Sequence, residues 1–263
     1  MELTKKKIFV TGGSAGIGKA LIEELSGHGV KDIAIMGRTA EKLDELEKQF
    51  SGIRFIKIQG DVSNLDDIKN AVKTLKNEWG ALDILVNNAG VVSAGLLEEI
   101  SDEDIISQVN VNVSGLILLT KHLLPLLKKS SEGALINVSS GLGYIGMPFY
   151  SVYAATKAAV KHFSEAMRRE LADYPLHVMT VYPTSTDTDM MKTARVDRTM
   201  DSPENVARST LEGLLREDIE VILGGDKQKH MVQTNLEEPL KIDKKVREQY
   251  ESLRKRAKHH RSM

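Results

Sequence analysis

Short apolar runs alternate with longer amphipathic segments along most of this sequence. The runs are KIFVTG, DIAIMG, IRFIKIQG, LDILVNNAG, GALINVSS, HVMTVYP and IEVILGG. Strands that are nearly continuous in Val, Ile and Leu are typical of a parallel sheet covered on both faces. Because each run is followed by a helical pattern, the sequence predicts an α/β fold with right-handed crossovers.

The alternation predicts one doubly wound domain over residues 1–225, since no linker or repeat interrupts it. Residues 226–263 form a different, basic extension that we expect to be helical. Its last part, KIDKKVREQYESLRKRAKHHRSM, carries nine Lys/Arg against three acids. Val246, Tyr250, Leu253 and Ala257 are spaced as one apolar helix stripe. We expect this stripe to pack on the domain; a protein partner or an anionic surface is the alternative.

Composition excludes several function classes. A formal net charge of -1 does not favour a nucleic-acid partner. The absence of cysteine excludes disulfides, thiolate metal sites and a Cys nucleophile, and the seven histidines form no metal-binding pattern. MELTKKKIFV leaves no room for a signal peptide, and VNVSGLILLTKHLLPLL is interrupted by Lys121 and Pro125. We therefore expect a cytoplasmic protein with no metal and no membrane span.

A glycine-rich turn, TGGSAGIG (Thr11–Gly18), follows the first predicted strand and opens the first helix. Gly12, Gly16 and Gly18 allow a tight turn and a close approach to a ligand. The free N–H groups and the positive dipole end of the helix suit a pyrophosphate. Since a strand precedes the turn and a helix follows it, a dinucleotide site is favoured over a purely structural turn.

The spacing T-G-x-x-x-G-x-G is followed by GDVSN, by NNAG (Asn87–Gly90) and by SVYAATKAA. In this order the motifs resemble the classical short-chain dehydrogenase/reductase (SDR) family over about residues 7–224. The resemblance implies a single Rossmann-like domain with a seven-stranded parallel sheet of order 3-2-1-4-5-6-7 and helices on both faces. It implies contacts to a nicotinamide cofactor at Gly12, Ser14, Gly16, Ile17, Gly18, Arg38, Asp61, Val62, Asn88, Ala89, Gly90, Tyr153, Lys157, Pro183, Thr186 and Thr188.

The second predicted strand ends in IMGRTAEKL. NAD-binding proteins usually place an acid at this point, where it binds the ribose 2′-hydroxyl. Here Gly37 occupies that position and Arg38 follows, and a guanidinium can hold a 2′-phosphate. The sequence therefore favours NADP(H) over NAD(H), although Arg38 can also be read as a solvated loop cation. The family's second common basic residue is Ala15 here.

Tyr153 and Lys157 are four residues apart, which places them on one helix face. A free phenol has a pKa of about 10, and a neighbouring ammonium lowers it by favouring the phenolate. By resemblance, Tyr153 is the catalytic acid/base and Lys157 its activator. Ser140 would bind the substrate oxygen, while Ser139 would be turned away by strand alternation. Asn112 would hold a water in the proton path to Lys157.

The family pattern P-G-x-V/I-x-T corresponds here to PTSTDT, Pro183 to Thr188, with Thr184 in place of glycine. Thr184 cannot take glycine's φ/ψ range cheaply, which predicts a differently shaped loop. A following lid, residues 189–200, carries Lys192, Arg195 and Arg198, which would reach an acidic substrate or be solvated. An apolar pocket is predicted from the stretch between Ser140 and Tyr153, with the candidates Leu142, Tyr144, Met147, Phe149 and Tyr150.

The function predicted is an NADP-dependent oxidoreductase that interconverts a carbonyl, expected to be apolar, and an alcohol by hydride transfer. An NADP(H)-binding sensor or scaffold of the same fold without turnover is the alternative, and an epimerase or dehydratase is a third. The complete set Asn112, Ser140, Tyr153 and Lys157 favours the enzyme. By resemblance, the helices that carry Asn112 and Tyr153 would pair in a homodimer.

Overall fold

A seven-stranded parallel sheet forms the centre of a computed structural model that describes residues 1–194 and 199–263. Its strand order is β3-β2-β1-β4-β6-β7-β8, which confirms the predicted order 3-2-1-4-5-6-7. The numbers differ because a two-residue strand, β5, precedes the fifth strand of the sheet and pairs antiparallel with β9. The strands are β1 Lys7–Thr11, β2 Asp32–Gly37, β3 Arg54–Gln59, β4 Ile84–Asn87, β5 Val92–Ser93, β6 Gly133–Val138, β7 Leu176–Tyr182, β8 Glu220–Ile222 and β9 Arg261–Ser262.

Helices connect the strands and follow the last strand of the sheet. They are α1 Gly16–Gly27, α2 Ala40–Gln49, α3 Leu65–Trp79, α4 Asp102–Val109, α5 Leu116–Leu127, α6 Ser151–Glu170, α7 Pro203–Leu215, α8 Gly225–Glu237, α9 Pro239–Glu248 and α10 Tyr250–Ala257. Ser202 caps α7 by accepting a hydrogen bond from the Asn205 N–H, and Pro203 occupies the first helical position, as the sequence predicts.

The helices cover both faces of the sheet with two separate apolar cores. One core joins the sheet to α1, α2 and α7 through side chains such as Leu21, Leu43 and Leu211. The other joins it to α3, α5 and α6, for example through Leu75 and Leu123. A parallel sheet buried on both faces explains why its strands read as continuous aliphatic runs.

The chain is helical from Asp102 to Leu127, but its middle, Asn110–Gly115, is a π-helical segment. By length and composition alone this stretch could cross a membrane. The core helix of a globular domain meets the same criteria of length and composition. Leu119 and Leu123 in it are fully buried against the sheet. The stretch therefore acts as a core helix, in line with the sequence interpretation.

The basic segment after β8 is helical, but its apolar stripe is divided between α9 and α10. The division falls at Gln249, whose φ of -102° and ψ of 5° interrupt the helix. The Tyr250 ring lies 5.0 Å from the Phe149 ring, and Ala257 is buried beside Tyr150. The stripe therefore lies against the sheet-containing part of the protein.

Candidate active site

The glycine turn between β1 and α1 leaves a cradle that side chains would fill. Gly12 and Gly16 have φ of +65° and +51°, in the left-handed region that favours glycine. A Cβ on Gly18 would lie 2.2 Å from the Gly12 carbonyl oxygen, so only glycine fits there. Ala15 precedes α1 and supplies no side-chain cap. The first N–H groups of α1 therefore keep their capacity to bind an anion.

The end of β4 is tied to this turn by hydrogen bonds. The Thr11 hydroxyl oxygen accepts from the N–H groups of Asn88 and Ala89 at 3.0 and 3.1 Å. The Asn88 amide donates to the carbonyls of Thr11 and Gly12 at 3.0 and 3.2 Å. These bonds place the NNAG motif beside the glycine turn, at the carboxyl edge where doubly wound sheets bind ligands.

The residues predicted for the adenosine end also lie at this edge. The Asp61 carboxylate accepts from the Ser63 N–H and hydroxyl at 2.8 and 2.7 Å, and Val62 is buried. Ser14 and Ile17 are half-buried beside the turn, and the Ser14 hydroxyl would lie 3.5 Å from a Cβ on Gly37.

Arg38 is exposed after β2, and its Nη2 donates to the Met263 carbonyl oxygen at 3.3 Å. The guanidinium therefore meets the last residue of the sequence, a contact that the local sequence around Arg38 does not predict.

Tyr153 and Lys157 lie on the first turns of α6 and face each other. Lys157 Nζ is 5.6 Å from the centre of the Tyr153 ring and donates to the Val138 carbonyl at 3.0 Å. Burial lowers the pKa of Lys157 to about 8. Burial also raises the pKa of the Tyr153 phenol, contrary to the expectation that the neighbouring ammonium lowers it, and a hydrogen bond with Ser140 partly opposes the rise. Ser140 therefore faces Tyr153, whereas Ser139 donates to the Lys157 carbonyl at 2.7 Å and points away.

Asn112 lies in the π-helical segment and is 1% exposed. Its Oδ1 accepts from the Val91 N–H at 2.8 Å, and its Nδ2 donates to the Val91 carbonyl and to the Thr156 hydroxyl at 2.9 and 3.1 Å. A Cβ on Gly90 would lie 3.3 Å from Asn112 Oδ1 and 3.5 Å from Lys157 Nζ, so both groups border Gly90. The structure thus brings Asn112 close to Lys157, with its amide bonded to Val91 and Thr156.

The loop after β7 takes a shape that threonine allows. Among the described residues other than glycine, only Phe149 and Glu217 have positive φ, so Thr184 is not in the left-handed region. The buried Thr186 donates to the Thr184 carbonyl at 3.1 Å. A Cβ on Gly16 would lie 3.0 Å from the Thr188 methyl, which places this loop against the glycine turn. The buried Pro183 accepts from the Gly141 N–H at 2.9 Å.

An apolar cluster packs around Tyr153. Its members include Leu142, Met147, Phe149, Tyr150, Met190, Leu253 and Ala257. Of the predicted pocket residues, Tyr144 belongs instead to a neighbouring cluster with Ile145 and Val246. Phe149 has a φ of 72°, which is strained for a bulky residue, and such strain tends to cluster at functional sites.

Two polar groups from the basic segment enter this apolar side. Arg256 Nη2 donates to the Ser185 hydroxyl at 2.7 Å, and its Nε is buried without a partner among the described residues. His260 is 3% exposed and lies between the Tyr150 hydroxyl at 2.9 Å and the Met190 carbonyl at 3.0 Å. Of the lid cations, Lys192 pairs with Asp189, while Arg195 and Arg198 lie outside the described residues.

No group of three or more His, Cys, Asp or Glu side chains is placed to hold a metal within residues 1–194 and 199–263. The hydrogen-bond donors at the glycine turn do suit a nicotinamide dinucleotide. The uncapped N-terminus of α1, next to a cradle that a Cβ on Gly18 would fill, matches a pyrophosphate.

Sequence reasoning missed Arg256 and His260 as polar neighbours of the site, and it placed Tyr150 in the apolar pocket without its hydrogen bond to His260. Arg256 and His260 carried no local signal, because the fold of the distant basic segment brings them to the site.

Comparisons with known proteins agree with this arrangement. The family model described as short chain dehydrogenase matches residues 6–199. A 3-ketodihydrosphingosine reductase from Bacteroides thetaiotaomicron is 32% identical over 207 residues, which cover 79% of this chain and 74% of the relative. A short chain dehydrogenase from Burkholderia cenocepacia, solved in complex with NADP, is 26% identical, with a TM-score of 0.82 over 94% of this chain and 99% of the other.

A short-chain dehydrogenase/reductase from Burkholderia phymatum, solved in complex with NAD, is 20% identical. It has a TM-score of 0.82 over 90% of this chain and 95% of the other. At that identity the likeness shows the fold alone.

Proposed function

Because the chain belongs to the short-chain dehydrogenase family, we propose that it is an NADP-dependent oxidoreductase that interconverts a carbonyl and an alcohol by hydride transfer. The observation that carries this proposal is the Tyr153–Lys157 pair, with Ser140 bonded to the phenol, at the same sheet edge as the glycine turn. A purely structural helix face has no need to bury an ammonium beside a phenol.

The nicotinamide supplies or accepts the hydride when it is bound. The Tyr153 phenol then donates its proton to the oxygen of the reduced carbonyl, and the Ser140 hydroxyl binds the same oxygen. The Lys157 ammonium, with a pKa of about 8, is mostly charged at neutral pH and stabilises the phenolate that remains. Asn112 borders Gly90 together with Lys157, and we assign it to the path by which the phenolate regains a proton.

Cofactor preference follows in this proposal from the end of β2. Gly37 offers no carboxylate to a ribose 2′-hydroxyl, while Arg38 offers a guanidinium to a 2′-phosphate. The NADP complex of the Burkholderia cenocepacia protein supports this choice, whereas the NAD complex of the Burkholderia phymatum protein marks the alternative. The remaining cofactor contacts are proposed at the sequence-predicted residues, from Gly12 to Thr188.

The proposed substrate is a carbonyl compound with an apolar body. The cluster around Tyr153, with Leu142, Met147 and Phe149, supports this choice, as does the name of the 3-ketodihydrosphingosine reductase relative. Arg256 adds one cation without a carboxylate partner among the described residues. An anionic group on the substrate would provide that partner.

We further propose a cytoplasmic homodimer in which residues 1–225 form the catalytic domain and residues 226–263 an extension. Ile106 and Val109 on α4 are 58% and 41% exposed, and a partner helix would cover them.

The proposal is tested by titrating the protein with NADPH and NADH and then screening ketones, aldehydes and keto acids for turnover. We expect tighter NADPH binding and turnover that Tyr153→Phe reduces by about 10²–10⁴-fold while cofactor binding is retained. Cofactor binding with no turnover on a broad panel would favour the sensor or scaffold. Unchanged turnover in Tyr153→Phe would refute the assigned acid.

A further inference from the structure

The tail segment, residues 258–263, crosses the carboxyl edge of the sheet. It enters at His260, which is buried between Tyr150 and Met190 on the substrate side. It leaves at Met263, whose carbonyl oxygen meets Arg38 at the adenosine side. The segment therefore reaches from the proposed substrate side of this edge to its proposed adenosine side.

Strand pairing holds the middle of the tail segment. Ser93 and Val92 of β5 pair with Arg261 and Ser262, and the Ala94 N–H donates to the His260 carbonyl at 2.9 Å. β5 begins two residues after Gly90, the last residue of the NNAG motif. The tail segment is therefore paired with backbone that lies next to the proposed dinucleotide site.

An ion pair adds to this pairing. Arg261 Nε and Nη2 lie 2.8 and 2.9 Å from the two carboxylate oxygens of Asp104, which is 7% exposed. The Ser93 hydroxyl donates to the same carboxylate at 2.8 Å. The Arg261 guanidinium lowers the pKa of Asp104, so the carboxylate stays charged at neutral pH. The docked position is therefore specified by side chains as well as by the strand.

The end of the tail segment meets the groups assigned to the adenosine. The Met263 side chain packs against the core that contains Val62 and Val91, and Ala89 packs against the same core. An adenine placed against Val62 and a phosphate placed on Arg38 would compete with Met263 for the same surface and for the Arg38 Nη2 donor.

We propose that the tail segment is an autoinhibitory strap that competes with the nicotinamide cofactor and must undock before the cofactor binds. This inference rests on the cofactor site assigned under the proposed function. The apparent affinity for the cofactor is then the intrinsic affinity reduced by the fraction of molecules with an undocked tail. Any change that weakens docking of the tail should therefore tighten cofactor binding, even where the changed residue does not contact the cofactor.

A designed disulfide tests this directly, because the natural sequence contains no cysteine. Ser93 and Arg261 face each other, and both side chains reach Asp104. The pair alternates with the hydrogen-bonded Ala94–His260 pair, so its Cα atoms belong to the closer kind of cross-strand pair. The double variant Ser93→Cys/Arg261→Cys can form one disulfide that locks the tail segment in place.

We expect the oxidised double variant to lose measurable NADPH binding and to regain it on reduction by dithiothreitol. Circular dichroism and thermal unfolding of both forms check that the fold is retained. Equal NADPH binding by folded oxidised and reduced protein would overturn the proposal.

Two further comparisons use the tail in its native chemistry. Deletion of residues 258–263 should tighten NADPH binding by about tenfold, as expected if roughly nine in ten molecules hold the tail docked. Asp104→Asn should shift the affinity in the same direction, whereas Asp102→Asn, an exposed acid in the same helix turn, should not. Unchanged affinity in the deletion variant would contradict the strap but leave the proposed cofactor site standing. Failure of every form to bind NADPH or NADH removes the proposed cofactor site and the strap with it.

Discussion

Lys157 Nζ lies 5.6 Å from the centre of the Tyr153 ring and is 3.0 Å from the Val138 carbonyl oxygen. No carboxylate pairs with this ammonium among the residues that the structure describes. The group is 4% exposed, and burial lowers its pKa to about 8 from an ordinary value of 10.5. A buried charge without an opposite charge costs free energy, so Lys157 lowers the stability of the folded protein at the position of the proposed catalytic cation.

Lys157→Met should therefore raise the free energy of unfolding at pH 7 by about 1–3 kcal/mol while abolishing turnover. The folded protein releases the Lys157 proton near pH 8 and the unfolded chain near 10.5, so unfolding binds protons between these values. Wild-type stability should rise with pH in that window relative to the variant. Denaturant unfolding at several pH values measures both effects. Lys121→Met, an exposed change on α5, is the control, and a less stable Lys157→Met would contradict the argument.

Gly37→Asp combined with Arg38→Ala should reverse the cofactor preference. A Cβ on Gly37 would lie 3.3 Å from the flexible Leu43 Cδ2, so the aspartate can be accommodated. Loss of a charge-assisted contact changes binding by about 1.5–3 kcal/mol, roughly 10–100-fold in the ratio of NADPH to NADH affinity. Fluorescence titration measures the ratio. Arg54→Ala, at the opposite edge of the sheet, should leave it unchanged. A ratio that survives the double change would rule out Arg38 as its source.

Cofactor affinity should rise on acidification through His260. Its Nε2 must donate to the Met190 carbonyl, which leaves Nδ1 to accept from the Tyr150 hydroxyl in a neutral ring. Burial chiefly lowers the pKa of His260, the Met190 hydrogen bond opposes this, and the nearby Arg256 charge lowers it further. Because the undocked tail binds the proton more tightly, docking weakens as pH falls below about 6.5.

NADPH titration at pH 7.5 and 5.5 measures this effect. The full chain should bind more tightly at the lower pH relative to the variant lacking residues 258–263, and His260→Gln should remove the difference. The same pH dependence in all three proteins would show that another group is responsible.

Arg256→Gln should distinguish charged from neutral substrates. The guanidinium donates to Ser185 and has a buried Nε without a partner among the described residues. An anionic group on the substrate would supply that Nε with a charged acceptor. Steady-state kinetics should show a KM about 10–100-fold higher for keto acids, with kcat retained and neutral ketones unaffected. Arg254→Gln, exposed on the same helix, is the control. An equal effect on both substrate classes would assign Arg256 a structural role.

The sheet and the glycine turn could be predicted because their signals are local. The continuous aliphatic runs indicated a parallel sheet covered on both faces, and Gly18 lies at a position where only glycine fits. The pairing of β5 with β9 could not be predicted, since two-residue strands have no periodicity and their partners are far apart in sequence. The π-helical segment that contains Asn112 could not be predicted either, because its apolar spacing resembles that of an ordinary helix. The Arg38–Met263 contact follows from the same long-range docking.

The course of the tail segment has a practical consequence for how the protein is produced. An affinity tag fused after Met263 would start beside Arg38, the residue proposed to hold the cofactor's 2′-phosphate. The N-terminal amine of Met1 lies 3.5 Å from the Glu132 carboxylate, next to the amino end of β6. A tag at that end leaves from the opposite edge of the sheet. The position of the tag would thus affect any test of the proposed strap.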